Sequence, residues 1–412
     1  MEVLVQKYGG TSVANSERIK IVAKRIVETS KTGKKLVVVV SAPAGMTDSL
    51  IGKVKEISRE PSGRELDMIL ATGEQLSISL LALAIQELGA QAISYTASQI
   101  GIVTEPVHTK ARIKNIRTKK METELENGKI VIIAGFQGVT EDNEITTLGR
   151  GGSDITATAI GCALKASEVE IYTDVDGVYT ADPRIVTGAK KIPRISYEEM
   201  LEMAGSGAKV LHSRCVELAA KNKLPIHLRS SFDNFIGTYI QEGETFMEKA
   251  IVRGIAHTIA ETKISVSGLP QSPTAFAELF TEIAERNINI DIVVQDFIKD
   301  AWDQRKVTVS YIVSREDFKQ AYAISEDFSR KFENVTVASA MDMAKVSVVG
   351  VGMRSHPGVV ARVFRTLAVH CIPIEMVSCS EIKISCVVRE TDIETAVKVL
   401  HEEFFNGEES AL

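Results

Sequence analysis

Proline, tryptophan and cysteine are all scarce in this chain: ten, one and five of 412 residues. So little proline, beside 44% hydrophobic and 25% charged residues, argues against long disordered stretches and leaves enough apolar side chains for sizeable cores. The five cysteines (Cys162, Cys215, Cys371, Cys379, Cys386) form no CxxC pair and several stand among apolar neighbours, the usage of reduced core thiols rather than of disulfides or zinc. The seven histidines show no metal-ligand spacing, and no His-Asp-Ser or Cys-His arrangement suggests itself. A net charge of −6 offers no field for a polyanion. The one basic run, 110–120, alternates with apolar residues at helical spacing and reads as a solvated helix face, so no nucleic-acid partner is expected. No basic leader precedes the strand-like start at Val3, and the longest helical apolar stretch, 76–88, is interrupted by Ser77, Ser79 and Gln86 and is too short for a bilayer. The expectation is a cytoplasmic protein without a membrane anchor.

What is present is organisation. A chain of 412 residues exceeds what one core usually holds, so two or three domains are expected. Over the first 240 or so residues, short β-branched runs (3–5, 36–40, 92–95, 130–134, 169–172) alternate with amphipathic segments (16–30, 65–88, 113–127, 154–164). The run 36–40 is apolar throughout, as in a strand covered on both faces, and the whole reads as an α/β layout with a mainly parallel sheet. After residue 240 the texture changes, and a boundary near 246 separates the two halves. Lys263-Ile264-Ser265-Val266-Ser267-Gly268 is matched by Lys345-Val346-Ser347-Val348-Val349-Gly350, and each copy runs through a proline (Pro273, Pro357) into a helix. Ile288-Asn289-Ile290-Asp291 then matches Ile372-Pro373-Ile374-Glu375, and the later strands each carry a serine at the fourth place, Ser310 and Ser385. This is an internal duplication of a small βαββαβ unit, with an insertion around Trp302 in the first copy. The divisions are 1–245, a linker and possible strand over 246–262, and copies over 263–340 and 341–412. The segment 251–259 can supply a strand to either copy.

Several motifs can carry chemistry. Lys7-Tyr8-Gly9-Gly10-Thr11-Ser12 follows the first strand and precedes the first helix, where glycines let backbone N–H groups approach an anion; an ordinary tight turn fits as well. The spacing is not that of a P-loop, so Lys7 would reach a transferring phosphoryl group from the strand side. Arg150-Gly151-Gly152-Ser153-Asp154 repeats the logic: Arg150 suits a carboxylate, and Asp154 either orients Lys7 or caps the helix. Thr173-Asp174-Val175-Asp176-Gly177-Val178-Tyr179, followed by Ala181-Asp182-Pro183-Arg184, lies beyond the carboxyl end of a strand, where ligands collect in open α/β sheets; an acidic turn is the plain alternative. Glu74, in Thr72-Gly73-Glu74-Gln75, opens an apolar helix, where an acid commonly just complements the dipole. Ser41 and Thr47 lie where a third loop would close over the same crevice, and Lys209, in Gly207-Ala208-Lys209-Val210, is by itself a helix lysine.

Taken together, Lys7-Tyr8-Gly9-Gly10-Thr11-Ser12, Gly73-Glu74, Arg150-Gly151-Gly152-Ser153-Asp154, Thr173-Asp174-Val175-Asp176-Gly177-Val178 and Gly207-Ala208-Lys209-Val210-Leu211-His212, in that chain order, and the duplicated tail resemble the aspartate kinase family over essentially the whole chain. The resemblance implies an amino-acid-kinase-type three-layer sandwich followed by two α+β ACT domains. It also implies transfer of the ATP γ-phosphoryl group to the side-chain carboxylate of L-aspartate, with magnesium arriving on the nucleotide and held mostly by its phosphates. By similarity, Lys7, Tyr8, Gly9 and Gly10 serve the phosphate, and Asp154 positions Lys7. Ser41, Thr47, Glu74, Arg150, Gly151 and Ser153 serve aspartate, with Glu74 facing its ammonium. Thr173, Asp174, Tyr179, Arg184, Lys209 and Val210 surround the nucleotide. The attacking atom already belongs to a carboxylate, so no general base is needed. An effector amino acid, lysine or threonine or both, is expected at Ser272, Thr274, Ala275 and Asp291 in the first copy and at His356 and Val359 in the second. Thr274 stands where the family commonly has glycine. A homo-oligomer paired through ACT units is expected, and an internal start at Met247 would yield a separate regulatory subunit. The competing readings are a kinase of the same fold acting on another small acid, and a sensor that has lost its chemistry.

Overall fold

The computed structural model describes residues 2–208, 210–243, 251–286, 288–299, 305–353 and 356–406. Lys209, Met247 and Trp302 therefore lie outside the described residues. The chain divides into two compact units, and the first is not contiguous. It comprises Met1–Tyr179, Lys191–Gly205 and Lys209–Thr245, whereas Thr180–Lys190 and Ser206–Ala208 cluster with Phe246–Leu412 in the second.

In the first unit an eight-stranded sheet runs in the order Arg194–Ser196, Thr238–Gln241, Ile226–Ser230, Glu168–Thr173, Val3–Tyr8, Lys35–Val40, Ile130–Ala134, Ala92–Tyr95. All neighbours are parallel except Ile226–Ser230 against Thr238–Gln241. The central strands are apolar because both faces are covered: Val37, Val38, Val39 and Val40 are all fully buried, each contributing about 1.5–3 kcal/mol of transfer free energy. Val3–Tyr8 pairs with Lys35–Val40 on one side and Glu168–Thr173 on the other, so chain order reverses there and a crevice opens at the strands' carboxyl ends. Helices Ser16–Ser30 and Thr72–Glu87 pack on one face through Ile19, Val22, Ile26, Ile78, Leu81 and Ile85.

Two local expectations change. The segment 113–127 is not one helix but a strand, Ile113–Ile116, and a helix, Lys119–Glu126; the strand pairs antiparallel with Ile102–Thr104 in a four-stranded sheet that also holds Gln137–Val139 and Ile145–Thr147. Ile113 and Ile116 are three apart, which satisfies a helical period locally, and pairing with the preceding strand Ile102–Thr104 overrides it. The apolar segment around 65–88 is two helices, Gly63–Leu70 and Thr72–Glu87. Gly63–Glu87 together has the length and apolarity of a bilayer crossing, but half of its apolar window is buried within the protein, as in a core helix.

The second unit is a six-stranded antiparallel sheet in the order Val293–Lys299, Arg305–Ser314, Ile251–Pro270, Thr336–Val351, Lys383–Arg389, Met376–Cys379. Its two central strands are long because each serves both copies. Residues 251–258 pair with the second copy's strand and 263–267 with 336–340, so the open question of 251–259 resolves as a reciprocal exchange. Both strands break register at matching kinks, where Ala260 (φ 63°) and Asp342 (φ 62°) are left-handed three residues before Lys263 and Lys345. The duplication extends to side chains: Ser265 bonds Ser310 at 2.7 Å and Ser347 bonds Ser385 at 2.8 Å. Lys263 pairs with Glu375 at 3.3 Å, and Lys345 pairs with Asp291, each lysine reaching the other copy's acid. Ala181 and Val186, from the excursion Thr180–Lys190, join the core formed by helices Pro357–Val369 and Ile393–Phe405. Thr180 Oγ1 accepts from Lys190 N at 2.9 Å and bonds Nε2 of the fully buried His401 at 2.9 Å.

Candidate active site

The crevice at the strand ends is a cleft of about 550 Å³, and four loops of the first unit build it. The first is the turn after Val3–Tyr8. Lys7 is 8% exposed, and its Nζ lies 2.6 Å from Asp154 Oδ1. Gly10 stands so close to the next loop that a Cβ there would meet the Ala42 carbonyl at 2.7 Å, and its own carbonyl accepts from Ala44 N at 3.1 Å. A side chain at this point would hold the two loops apart. The chain continues as a short 3-10 turn, Gly10–Val13, before the long helix begins.

The second loop follows Lys35–Val40. Ser41 N donates to the Tyr8 carbonyl, and Gly45, left-handed at φ 77°, starts helix Met46–Ile57; Ser41 and Thr47 both line the cleft. The third element is helix Thr72–Glu87, whose Glu74 is 3% exposed. Glu74 Oε1 accepts from Ala42 N at 3.0 Å, while Oε2 is buried without a partner. Burial pushes this carboxyl up to about 7, even though the Ala42 N–H works the other way. A buried acid with one oxygen unsatisfied, on the wall of a cleft, is the arrangement that receives a cationic group.

The fourth loop is Gly149-Arg150-Gly151-Gly152, which leads into helix Gly152–Ala163. Gly149 (φ 79°) and Gly151 (φ 69°) are left-handed, and a Cβ on Gly151 would meet His212 Cβ at 2.4 Å. Arg150, Gly151, Ser153 and Asp154 all line the cleft, with the helix N-terminus turned toward it. Thus Lys7, Gly10, Ser41, Thr47, Glu74, Arg150, Gly151, Ser153 and Asp154 converge, although the sequence disperses them over 148 positions.

The other expected residues lie elsewhere. Tyr8 is fully buried and stacked on Tyr172 at 4.7 Å between centroids, and burial lifts its phenol well above the ordinary range. Gly9 N donates to the Tyr172 carbonyl at 3.1 Å, which pins the turn from below. Thr173, Asp174 and Tyr179 gather beyond the end of Glu168–Thr173 and do not line the cleft: Thr173 Oγ1 donates to Asp174 Oδ1 at 3.0 Å, and Tyr179 OH to Asp176 Oδ1 at 2.9 Å. Burial, reinforced by that hydrogen bond, pushes the Tyr179 phenol up to about 12. Arg184 belongs to the second unit, where it forks onto Asp182 with its side chain 85% exposed. Val210 sits in a half-buried turn.

Among the effector residues, Ala275 and Val359 are core, Ser272 Oγ bonds Thr274 Oγ1 at 2.6 Å, and His356 Nδ1 donates to the Gly352 carbonyl at 3.0 Å. Asp291 already holds an ammonium, that of Lys345.

Sequence reasoning missed Thr109, Thr147 and Phe136, which also line the cleft. Phe136 has φ 68°, a conformation rare for an aromatic residue, and the only sequence signal is its setting in Gly135-Phe136-Gln137-Gly138. Among the described residues, no three acidic, histidine or cysteine side chains converge as a metal set.

Comparison with known proteins places the whole chain in a family. The amino acid kinase family matches residues 2–230, and the ACT domain family matches 346–404. Aspartokinase 2 of Bacillus subtilis is 49% identical over 404 residues, 98% of this chain and 98% of that protein. The crystal structure of E. coli aspartokinase III in complex with aspartate and ADP superposes with a TM-score of 0.82 at 26% identity, covering 98% of this chain and all of that one. The same enzyme in complex with lysine and aspartate gives 0.75 at 25% identity, with 98% and 100% coverage. The amino acid kinase match over residues 2–230, the ACT match in the duplicated tail and the full-length likeness to aspartokinases have one family in common: the chain belongs to the aspartokinases, kinases that phosphorylate aspartate with ATP and are regulated through ACT domains.

Proposed function

We propose that the product is 4-phospho-L-aspartate, released with ADP as the first step toward lysine, threonine and methionine, and that one or more of these amino acids feeds back on the enzyme through the ACT pair. The observation that carries the reading is the meeting of the Lys7–Asp154 pair with the unsatisfied Glu74 oxygen in one cleft. Glu74 receives the substrate's ammonium, and Arg150, which also lines the cleft, takes a carboxylate. A side-chain oxygen of aspartate forms the new bond to the γ-phosphorus as the bond to the β-bridging oxygen breaks and ADP leaves. Lys7, held by Asp154, neutralises charge on the transferring group, and the glycine turns bring backbone N–H groups against it. Thr173, Asp174, Tyr179, Arg184, Lys209 and Val210 are assigned to the nucleotide. Magnesium supplies charge neutralisation on the phosphates. It would arrive on the nucleotide and be held mostly by phosphate oxygens.

Lysine is the first effector to try, because the E. coli relative was solved with it. Ser272, Thr274, Ala275, Asp291, His356 and Val359 are assigned to effector turns. The protein is proposed to be cytoplasmic and to assemble as a homo-oligomer through ACT units, with Met247 as an internal start for a regulatory subunit. The test is ATP turnover with L-aspartate under hydroxylamine trapping, with lysine, threonine or both added, in wild type and Lys7→Ala. Aspartate-dependent acyl hydroxamate that falls with an effector is expected, as is a loss of about 10²–10³ in kcat for Lys7→Ala. Undiminished turnover by that variant would refute the role given to Lys7.

A further inference from the structure

The carboxylate of Asp67 takes no part in the reading above, yet it is completely buried on helix Gly63–Leu70. Three donors converge on it: Thr147 Oγ1 at 2.6 Å, Thr109 N at 3.0 and 3.2 Å, and His108 Nδ1 at 2.9 Å. None belongs to its own helix. A buried acid is kept at a desolvation cost that an apolar residue would avoid, so what its partners do is informative.

Thr109 and Thr147 both line the cleft, and Ala111 N ties the two segments together through the Thr147 carbonyl at 2.9 Å. Arg214 grips the same pair of segments, donating to the Leu148 carbonyl at 2.8 Å and to that of Ala111 at 3.1 Å. The next residue is Gly149, where a Cβ would approach the Thr109 carbonyl to 3.2 Å. The turn bearing Arg150 thus springs from a base clamped by Asp67 and Arg214, and without the Asp67 carboxylate Thr109 and Thr147 lose the anchor they share.

We propose that Asp67 is a positioning residue of the aspartate site: it fixes the base of the Arg150 turn, and so sets substrate affinity rather than the rate of phosphoryl transfer. The inference rests on the assignment of Arg150 to the substrate carboxylate. It is tested by steady-state kinetics of Asp67→Ala, Asp67→Asn, Arg150→Lys and the Asp67→Ala/Arg150→Lys double variant. Hydrogen bonds to a charged group are worth enough that Asp67→Ala should raise KM for aspartate at least about tenfold, with KM for ATP and kcat within about twofold of wild type. Asp67→Asn, which keeps the shape and an acceptor for Thr109 N, should move KM the same way by less, and it decides the matter should the alanine variant fail to fold. In the double variant the two effects should not add, because both act through one turn. Unchanged KM for aspartate in both Asp67 variants, or a joint deterioration of both KM values and kcat, would reduce Asp67 to a structural residue. Unchanged KM in Arg150→Lys would instead overturn the assignment of Arg150, and this proposal with it.

Discussion

Glu74 offers the sharpest prediction because the burial that suits it to the substrate role proposed for it also weakens the empty protein. Its carboxyl is raised from the usual glutamate value to about 7, with burial as the main cause and the residue only 3% exposed. A shift of that size corresponds to about 3 kcal/mol of differential stability between its protonated and charged forms. The folded protein binds this proton more tightly than the unfolded chain, so the contribution is fully present below the unfolded glutamate pKa and is lost as pH rises through about 7. Glu74→Gln should therefore unfold at higher temperature than wild type at pH 8 and with little difference at pH 4.5. Catalysis should run the other way if, as proposed, the Glu74 carboxylate receives the substrate's ammonium. Below pH 7, kcat/KM for aspartate should rise up to about tenfold per pH unit and then level off, and Glu74→Gln should lose this limb together with about 10²-fold in kcat/KM. The assays are thermal unfolding at the two pH values and kcat/KM profiles from pH 5.5 to 8.5. A flat wild-type profile, or a glutamine variant no more stable than wild type at pH 8, would refute the reasoning.

Two further predictions concern glycine and histidine. Gly45→Ala and Gly151→Ala both force a left-handed alanine, but only Gly151 adds a collision with His212, whereas nothing lies within 4 Å of the Gly45 position. Gly45→Ala should cost about 1 kcal/mol and spare most activity, while Gly151→Ala should cost about 2 kcal/mol or more and cripple aspartate binding, as measured by denaturant unfolding and KM. In the second unit, burial and then Lys190 hold the His401 imidazole below the ordinary histidine value; Glu402 works the other way, and Nδ1 has no hydrogen-bond partner. Its contribution is present above the unfolded histidine pKa and is lost as pH falls through the lower folded value, by up to about 1.4 kcal/mol per pH unit. Calorimetry should show the second unit's melting falling between pH 7 and 5 in wild type and flattening in His401→Gln; parallel curves would count against the assignment.

The chemistry was legible in the sequence wherever it depends on a short run of neighbours. Lys7-Tyr8-Gly9-Gly10 and Arg150-Gly151-Gly152-Ser153-Asp154 announce turns that only glycine permits, and the repeat at Lys263 and Lys345 announces the duplication, because turn geometry and repeated pattern are local properties. Glu74 stood in a recognisable motif, yet its unsatisfied oxygen and raised pKa come from Ala42 and the surrounding burial. Remote partners decided the rest. Nothing in the sequence around Asp67 sets it apart from the other charges of its helix; His108, Thr109 and Thr147 close around it only in the fold. Even the nearer partner Ile102–Thr104, the preceding element, made residues 113–116 a strand against their local period. Ile251–Pro270 and Thr336–Val351 exchange halves between the two copies. Thr180–Lys190, read as a loop of the first unit, belongs to the core of the second because Ala181 and Val186 bury there and Thr180 meets His401. The sequence alone determined which residues could do chemistry and where the chain must turn; the tertiary structure decided which of them share a cleft, because desolvation and hydrogen-bond partnership are set by neighbours far along the chain.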